Sequence, residues 1–85
     1  MGRVTTPRYR VEVECVGMVA TPSAWRKHYG RPTEANLIRF LEASNASMAP
    51  GGCNQHIAAA FPGARNVGGR IVEQSTGAVV CTARI

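Results

Sequence analysis

The strongest constraint on the fold of this chain is the alternation of apolar and charged residues from position 8 to position 15. The apolar positions are Tyr9, Val11, Val13 and Cys15, and the charged positions are Arg8, Arg10, Glu12 and Glu14. A period of two is typical of a β-strand with one buried and one solvent-exposed face. Because the exposed face carries both signs of charge, we expect it to neutralise itself. The strand is predicted to continue to Val19, with Gly17 at a bulge or a close backbone approach.

A helix is predicted to begin at Pro32 or Thr33. Proline fits the first turn of a helix, threonine can cap it, and Glu34 lies where a carboxylate complements the helix dipole. Residues at helical spacing predict the face towards the sheet, and these are Leu37, Phe40, Leu41, Ser44 and Met48. The outer side is predicted to carry Arg39, Glu42 and Asn45. Residues 49–52 (APGG) end the helix.

The rest of the chain predicts a short helix followed by a hairpin. Residues 53–61 are expected to be helical, with Ile57, Ala58, Ala60 and Phe61 available for packing. Residues 63–69 contain three glycines and predict a flexible turn. Two strand-like runs, 70–74 and 78–85, flank the loop Ser75-Thr76-Gly77. In the last strand the expected core side is Val79, Cys81, Ala83 and Ile85.

These elements predict an α+β fold with the chain order β-α-α-β-β. We expect a three-stranded sheet with one main helix and one short helix packed on one face. The first strand is expected to pair with the carboxyl-terminal strand, because a hairpin alone is barely stable. Eighty-five residues predict a single domain, with residues 1–7 as a flexible arm ended by Pro7. The sheet edges left exposed make a homodimer a further expectation.

Charge and residue inventory favour a binding protein over an enzyme. The net charge is +5 and the pI is about 9.9, which favours attraction to polyanions. The chain has no Asp and five Glu, whereas metal-dependent phosphoryl chemistry usually draws on clustered carboxylates. Three widely spaced cysteines without a CxxC pair predict neither disulfides nor a metal site. We therefore expect no catalytic residues, no metal and no cofactor.

The localisation expected from the sequence is cytoplasmic. No apolar run approaches the roughly 18 residues of a membrane-spanning helix. The first residues (MGRVTTP) lack the apolar stretch of a signal peptide.

Residues 25–31 (WRKHYGR) are the first candidate functional segment. Its predicted contact residues are Trp25, Arg26, Lys27, Tyr29 and Arg31. Arginine and lysine pair with phosphates while rings stack on bases, and Trp, Tyr and Arg also dominate protein–protein hot spots. Because Gly30 precedes Pro32, the segment is expected to be a loop. The alternative is that both rings fold back over a small core and the cations are merely solvated.

Residues 50–56 (PGGCNQH) are the second candidate segment. A Gly-Gly turn before a helix can present amide N–H groups to an anion, but the spacing of a phosphate-binding loop is missing. A helix stop followed by a new start is therefore favoured. A catalytic pair of Cys53 and His56 would need a third orienting group and is disfavoured.

One resemblance adds a biological setting. Residues 30–37 (GRPTEANL), followed by 45–48 (NASM) and 50–56, resemble a segment of small proteins encoded by actinobacterial phages, particularly mycobacteriophages. The similarity spans about a third of the chain. It implies an intracellular accessory protein made in the infected host and outside the virion. It transfers no catalytic residue and no mechanism.

The sequence thus predicts a protein that acts by binding a host or phage macromolecule. A protein partner is placed slightly ahead of nucleic acid, which is the first alternative. The second alternative is an obligate homodimer with the basic-aromatic loop at its interface. No membrane partner is expected.

Overall fold

A computed structural model describes residues 7–85 and contains four strands and two α-helices in that range. The elements in chain order are β1 (Tyr9–Val16), β2 (Ser23–Ala24), a 3-10 turn (Lys27–Tyr29), α1 (Glu34–Met48), α2 (Gln55–Ala60), β3 (Arg65–Glu73) and β4 (Val79–Arg84). The α+β class is confirmed. Apart from Pro7, the predicted amino-terminal arm lies outside the described residues. No helix in the described range is long and apolar enough to cross a membrane.

The sheet has four antiparallel strands in the order β2-β1-β3-β4, so the prediction of three strands was wrong. The missed strand β2 has two residues, too few to show a period. The predicted pairing of β1 with the last strand was also wrong. β1 pairs with β3, placing Val11 opposite Ile71, and β4 lies on the far side of β3.

The alternation in β1 was interpreted correctly over most of its length. Val11 is fully buried while Arg10 and Glu12 reach the other face. The strand ends at Val16, earlier than predicted, and its irregularity falls between Glu14 and Cys15. Gly17 lies just beyond the strand with φ of +92°, and a Cβ there would come within 3.1 Å of the Ala64 Cα. The close backbone approach at Gly17 is confirmed, whereas the bulge is displaced.

Helix α1 covers one face of the sheet and contacts β3 and β4. Thr33 caps it as predicted, because the Asn36 N–H donates to the Thr33 Oγ1 at 3.3 Å. Its buried residues are Leu37, Leu41 and Met48. The core between helix and sheet consists of Val11, Trp25, Leu37, Leu41, Ile71 and Ala83. The predicted apolar stripe is thus confirmed at its most buried positions.

Asn45 was predicted on the outer side of α1 and instead joins the helix to β3. The Asn66 N–H donates to the Asn45 Oδ1 at 2.6 Å, and the Asn45 Nδ2 donates to the Asn66 carbonyl at 3.1 Å. The flexible turn predicted at 63–69 was therefore wrong from Arg65 onward, where β3 begins. Gly69 lies within that strand. A Cβ at this position would come within 3.3 Å of a Leu41 methyl group, so glycine allows the close packing of α1 on β3.

The short helix and the last strand differ from prediction in what they bury. α2 contacts α1, contains no buried residue and is followed by Phe61, which is 43% exposed. The expectation that α2 packs on the sheet was wrong. In β4, Cys81 and Ala83 face α1 as predicted, but Val79 and Ile85 are 48% and 46% exposed. An irregularity in the pairing between Ile71 and Val72 places Val79 opposite Val72, on the other face of the sheet.

Candidate functional site

Trp25 lies underneath the predicted contact segment. Its side chain is 6% exposed, and its indole N–H donates to the Gly30 carbonyl at 3.0 Å. The ring centroids of Tyr29 and Phe40 lie 5.2 and 5.6 Å from that of Trp25, the usual separation for aromatic pairs. Tyr29 is half-buried and its centroid is 5.0 Å from that of Phe40. The alternative in which the rings fold over the core therefore holds for Trp25 and, in part, for Tyr29.

Main-chain hydrogen bonds hold this segment in one conformation. The Trp25 N–H donates to the Tyr9 carbonyl at 2.9 Å, which ties the segment to the start of β1. The Tyr29 and Gly30 N–H groups donate to the Arg26 and Lys27 carbonyls at 3.0 and 3.1 Å. These bonds close the 3-10 turn Lys27–Tyr29, where a loop without regular structure was predicted.

Gly30 and Asn36 join this turn to α1. Gly30 has φ of +87°, a conformation that glycine adopts without strain. A Cβ at Gly30 would come within 2.9 Å of the Asn36 Nδ2. That amide nitrogen donates to the Arg31 carbonyl at 3.0 Å. The backbone carrying the cations is therefore fixed by β1 on one side and by α1 on the other.

The cations of the segment point outward and are joined by Arg8, the residue that immediately precedes β1. Arg26, Lys27, His28 and Arg31 are exposed. Arg8 lines the same open groove as the first three of these, and the groove has a volume of about 980 Å³. Arg31 lies between Gly30 and Pro32, which also line the groove. We call Arg8, Arg26, Lys27, His28 and Arg31 the basic surface.

The basic surface has little internal neutralisation. None of the described residues lining its groove is a carboxylate. Within residues 7–85, Arg26, Lys27 and Arg31 form no ion pair closer than 4.0 Å. Arg8 approaches Glu73 at 3.5 Å, but its side chain is 75% exposed, and such a pair contributes little. The charge of this surface is therefore available to an external anion.

The open face of the sheet has the opposite character. Glu12 accepts hydrogen bonds from Arg10 at 2.8 Å and from Arg70 at 2.6 Å, and Glu14 pairs with Arg84 at 3.0 Å. We call these five residues the paired face. The hydrogen bond from Arg10, followed by that from Arg70, holds the pKa of Glu12 below its ordinary value. The predicted self-neutralisation is confirmed, with the partners supplied across strands as well as along β1.

Gly68 makes one of these cross-strand pairs possible. It lies between Glu14 on β1 and Arg84 on β4 in the pairing register. A Cβ at Gly68 would come within 3.0 Å of the Ala83 carbonyl, 3.3 Å of the Arg84 Cγ and 3.5 Å of the Glu14 Oε2. The absent side chain thus leaves the space in which Arg84 reaches across β3 to Glu14.

The second candidate segment, residues 50–56, forms a helix stop and a new start. The Ile57 N–H donates to the Asn54 Oδ1 at 3.2 Å, which caps α2. Gln55 donates from its side chain to the Gly52 carbonyl. Cys53 and His56 are both exposed. The polar side chains of Asn54 and Gln55 thus form hydrogen bonds within this part of the chain.

The thiols and imidazoles of the described residues do not converge. Across residues 7–85, no group of three or more His, Cys, Asp or Glu side chains lies close enough to hold a metal ion. Cys15, Cys53 and Cys81 are free thiols. Burial raises the pKa of Cys81, so this thiol resists ionisation more than an exposed one.

Comparison with known proteins indicates no function for this chain, so the proposal below depends on the geometry of the site. No family model, no curated protein and no solved structure matches the chain. The sequence located the segment at residues 25–31 but missed Arg8 as a member of the surface. The alternating pattern had placed Arg8 on the charged, self-neutralising face of the first strand. In the structure Arg8 precedes β1 and lines the groove beside Arg26 and Lys27.

Proposed function

We propose that this chain is a small, non-enzymatic protein that binds nucleic acid through its basic surface. The observation that carries the proposal is a groove lined by three permanent cations and His28, with no carboxylate among the described lining residues. Guanidinium and ammonium groups pair with phosphate oxygens, and phosphate contacts supply most of the affinity of sequence-independent binding. The groove offers His28 no carboxylate, serine or cysteine among its described lining residues, which argues against acid–base or nucleophilic catalysis.

Nucleic acid is favoured here over the protein partner that the sequence placed first. A protein hot spot relies on aromatic anchors that are exposed before binding and buried afterwards. Trp25 is already buried within its own chain and Tyr29 is half-buried. The groups left exposed are long cationic side chains, which contribute mainly to association rate at the rim of a protein interface. Against a phosphate backbone the same groups are the main source of affinity.

The phage resemblance gives this proposal a setting. An accessory protein made in the infected host would meet host and phage nucleic acid in the host cytoplasm. The contacts proposed from the sequence are then divided between two roles. Arg26, Lys27 and Arg31, together with Arg8, contact phosphates, while Trp25 and Tyr29 hold the segment that carries them.

The proposal is tested by fluorescence anisotropy with a labelled DNA duplex of about 20 base pairs at ~50–200 mM salt. We expect Arg26→Gln to weaken binding roughly 8-fold at ~100 mM salt, as expected for one lost phosphate contact. Arg65→Gln is the matched control, because it removes the same charge from an exposed position. Arg65 pairs with Val16, seven residues along β1 from Tyr9, or about 23 Å away.

Two outcomes would contradict the proposal. Absence of binding at ~50 mM salt would exclude nucleic acid, and equal losses in Arg26→Gln and Arg65→Gln would mean that only net charge matters. An acidic protein partner predicts instead that poly-glutamate binds as tightly as the duplex at equal charge. Pulldowns from nuclease-treated and untreated lysate separate the two classes of partner in the same way.

The homodimer alternative makes a different prediction. It places residues 25–31 at an interface between two copies, so Arg26→Gln with Arg31→Gln would change the oligomeric state. Our proposal predicts no such change. Light scattering of the wild type and this variant decides between them.

A further inference from the structure

The Trp25 and Tyr29 rings of the contact segment are arranged for packing and not for stacking on bases. Proteins that bind single strands present exposed rings to successive bases. Here the Trp25 ring is 6% exposed and its N–H is bonded to the Gly30 carbonyl. Tyr29 packs between Trp25, Phe40 and His28, with centroid separations of 5.2, 5.0 and 4.3 Å. Base stacking on Trp25 would require the core to open.

The groups that do reach solvent are positioned as a set. The main-chain N–H of Trp25 donates to the Tyr9 carbonyl, and this hydrogen bond holds the turn beside the start of β1 and therefore beside Arg8. The Asn36 side chain holds the Arg31 carbonyl from the helix side. Four permanent cations, Arg8, Arg26, Lys27 and Arg31, are thus carried on backbone that need not reorganise on binding.

Charge density then decides which nucleic acid such a surface prefers. A duplex carries one phosphate per about 1.7 Å of axis, and the logarithm of its affinity falls with the logarithm of salt with a slope of about −0.9 per contact, against about −0.7 for single strands. For four contacts the slopes are about −3.6 and about −2.8. Taking the two affinities as equal at ~1 M salt, this difference in slope corresponds to a roughly 6-fold preference for the duplex at ~100 mM salt. Because Trp25 is not available for stacking, a single strand lacks the contact that would best offset this difference.

From these observations we infer that the basic surface recognises the phosphate backbone of double-stranded nucleic acid and makes no base-stacking contact through Trp25. This inference rests on the proposed function and specifies its partner. DNA and RNA duplexes share the phosphate chemistry. The comparison of a DNA duplex with an RNA duplex shows which backbone geometry fits better.

The test compares three labelled probes of about 20 nucleotides or base pairs, namely a DNA duplex, an RNA duplex and a single DNA strand, each titrated at ~50–200 mM salt. Trp25 is the only tryptophan in the chain, so its fluorescence reports directly on stacking. We expect at least one duplex to bind roughly 6-fold more tightly than the single strand at ~100 mM salt. Trp25 emission should stay within a few per cent of its free value.

Charge variants make the contact count measurable. Arg26→Gln should reduce the magnitude of the duplex salt slope by about 0.9, whereas Arg65→Gln should leave it unchanged. Trp25→Phe should bind the duplex within about twofold of wild type, since a ring that only packs can be replaced by another ring. This variant avoids the large loss of stability that truncating a buried aromatic side chain to alanine would cause.

Failure of the inference and failure of the proposed function look different. Tighter binding of the single strand, together with quenching of Trp25 emission, would overturn the inference while leaving nucleic-acid binding in place. Absence of binding to all three probes would overturn the proposed function itself.

Discussion

The basic surface and the paired face both carry arginine, but only on the paired face does every arginine have a carboxylate beside it among the described residues. On the paired face, Arg70 stands beside Glu12 across the β1–β3 register, and Arg84 reaches Glu14 over Gly68. On the basic surface, Arg26 and Lys27 follow an edge strand of two residues and have no facing strand beyond them. The difference lies in topology, since a central strand brings partners and an edge segment does not.

This contrast shows why net charge alone is a weak guide to binding. The formal charge of +5 includes arginines that are occupied by carboxylates and arginines that are not. On the paired face, Glu12 and Glu14 pair with Arg10, Arg70 and Arg84. Arg26, Lys27 and Arg31 form no ion pair among the described residues, so an external anion can approach them.

The largest effect is expected from truncating Trp25, the buried side chain beneath the basic surface. Trp25→Ala should lower the free energy of unfolding by about 3–5 kcal/mol, the usual cost of deleting a buried aromatic side chain. Binding should fall with it, because Arg26 and Lys27 lose the backbone that positions them. Urea denaturation and anisotropy measure the two effects. Arg31→Ala, which removes an exposed side chain, should change stability by less than about 0.5 kcal/mol, and a comparable loss there would contradict this division of roles.

Two matched double variants separate the surfaces directly. Arg26→Gln with Lys27→Gln should weaken duplex binding roughly 60-fold at ~100 mM salt and leave stability within about 0.5 kcal/mol. Arg10→Gln with Arg70→Gln removes the same charge but strips Glu12 of both partners. That pair should lower the urea midpoint while weakening binding far less. If both doubles weakened binding equally, the distinction between the two surfaces would be wrong.

Long periodic patterns were predictable from sequence, and features that depend on pairing were not. The alternation in β1 and the stripe on α1 are local, so Val11, Leu37 and Leu41 were correctly assigned to the core. β2 has no period to detect. Gly68 and Gly69 suggested a turn, whereas they lie in β3 where a Cβ would crowd the neighbouring strands and α1. The face of Val79 depends on an irregularity in the β3–β4 register, which local alternation does not reveal.

The composition of residues 25–31 marked them as a candidate site, but it did not show which of their side chains are buried and which are exposed. The mixture of rings and cations at residues 25–31 was visible in the sequence. Which groups face inward depends on Phe40, which lies on α1 and packs against Trp25 and Tyr29. Arg8 joins the surface only because Trp25 bonds to Tyr9. Both are tertiary contacts without a signature in the local sequence.

A smaller effect is expected at Gly68, where the paired face depends on a missing side chain. Gly68→Ala should cost about 1–2 kcal/mol, because the added methyl group crowds the Ala83 carbonyl and Arg84. In an Arg84→Ala background the cost should be smaller, since part of it comes from displacing the pair with Glu14. A double-mutant cycle by urea denaturation measures the coupling. Full additivity would mean that the space over Gly68 does not serve the ion pair.

The smallest effect is a dependence of stability on pH that belongs to the paired face alone. Arg10 first, and then Arg70, lower the pKa of Glu12 in the folded state below the ordinary value of 4.5. Above that value the carboxylate is ionised in both the folded and unfolded chain, so its stabilising contribution is fully present. The contribution is lost as the pH falls through the lowered pKa of the folded state. Glu12→Gln should therefore be less stable than wild type near neutral pH, and the difference should shrink in acid.

Urea denaturation between about pH 3 and pH 7 measures this difference. Arg26→Gln with Lys27→Gln is the control, because those cations have no carboxylate partner in the described part of the chain. The free energy of unfolding of this control should fall with decreasing pH as that of the wild type does, with a constant difference between the two. A gap between Glu12→Gln and wild type that stays constant down to the lowest pH would show that packing, and not pairing with Arg10 and Arg70, accounts for the role of Glu12.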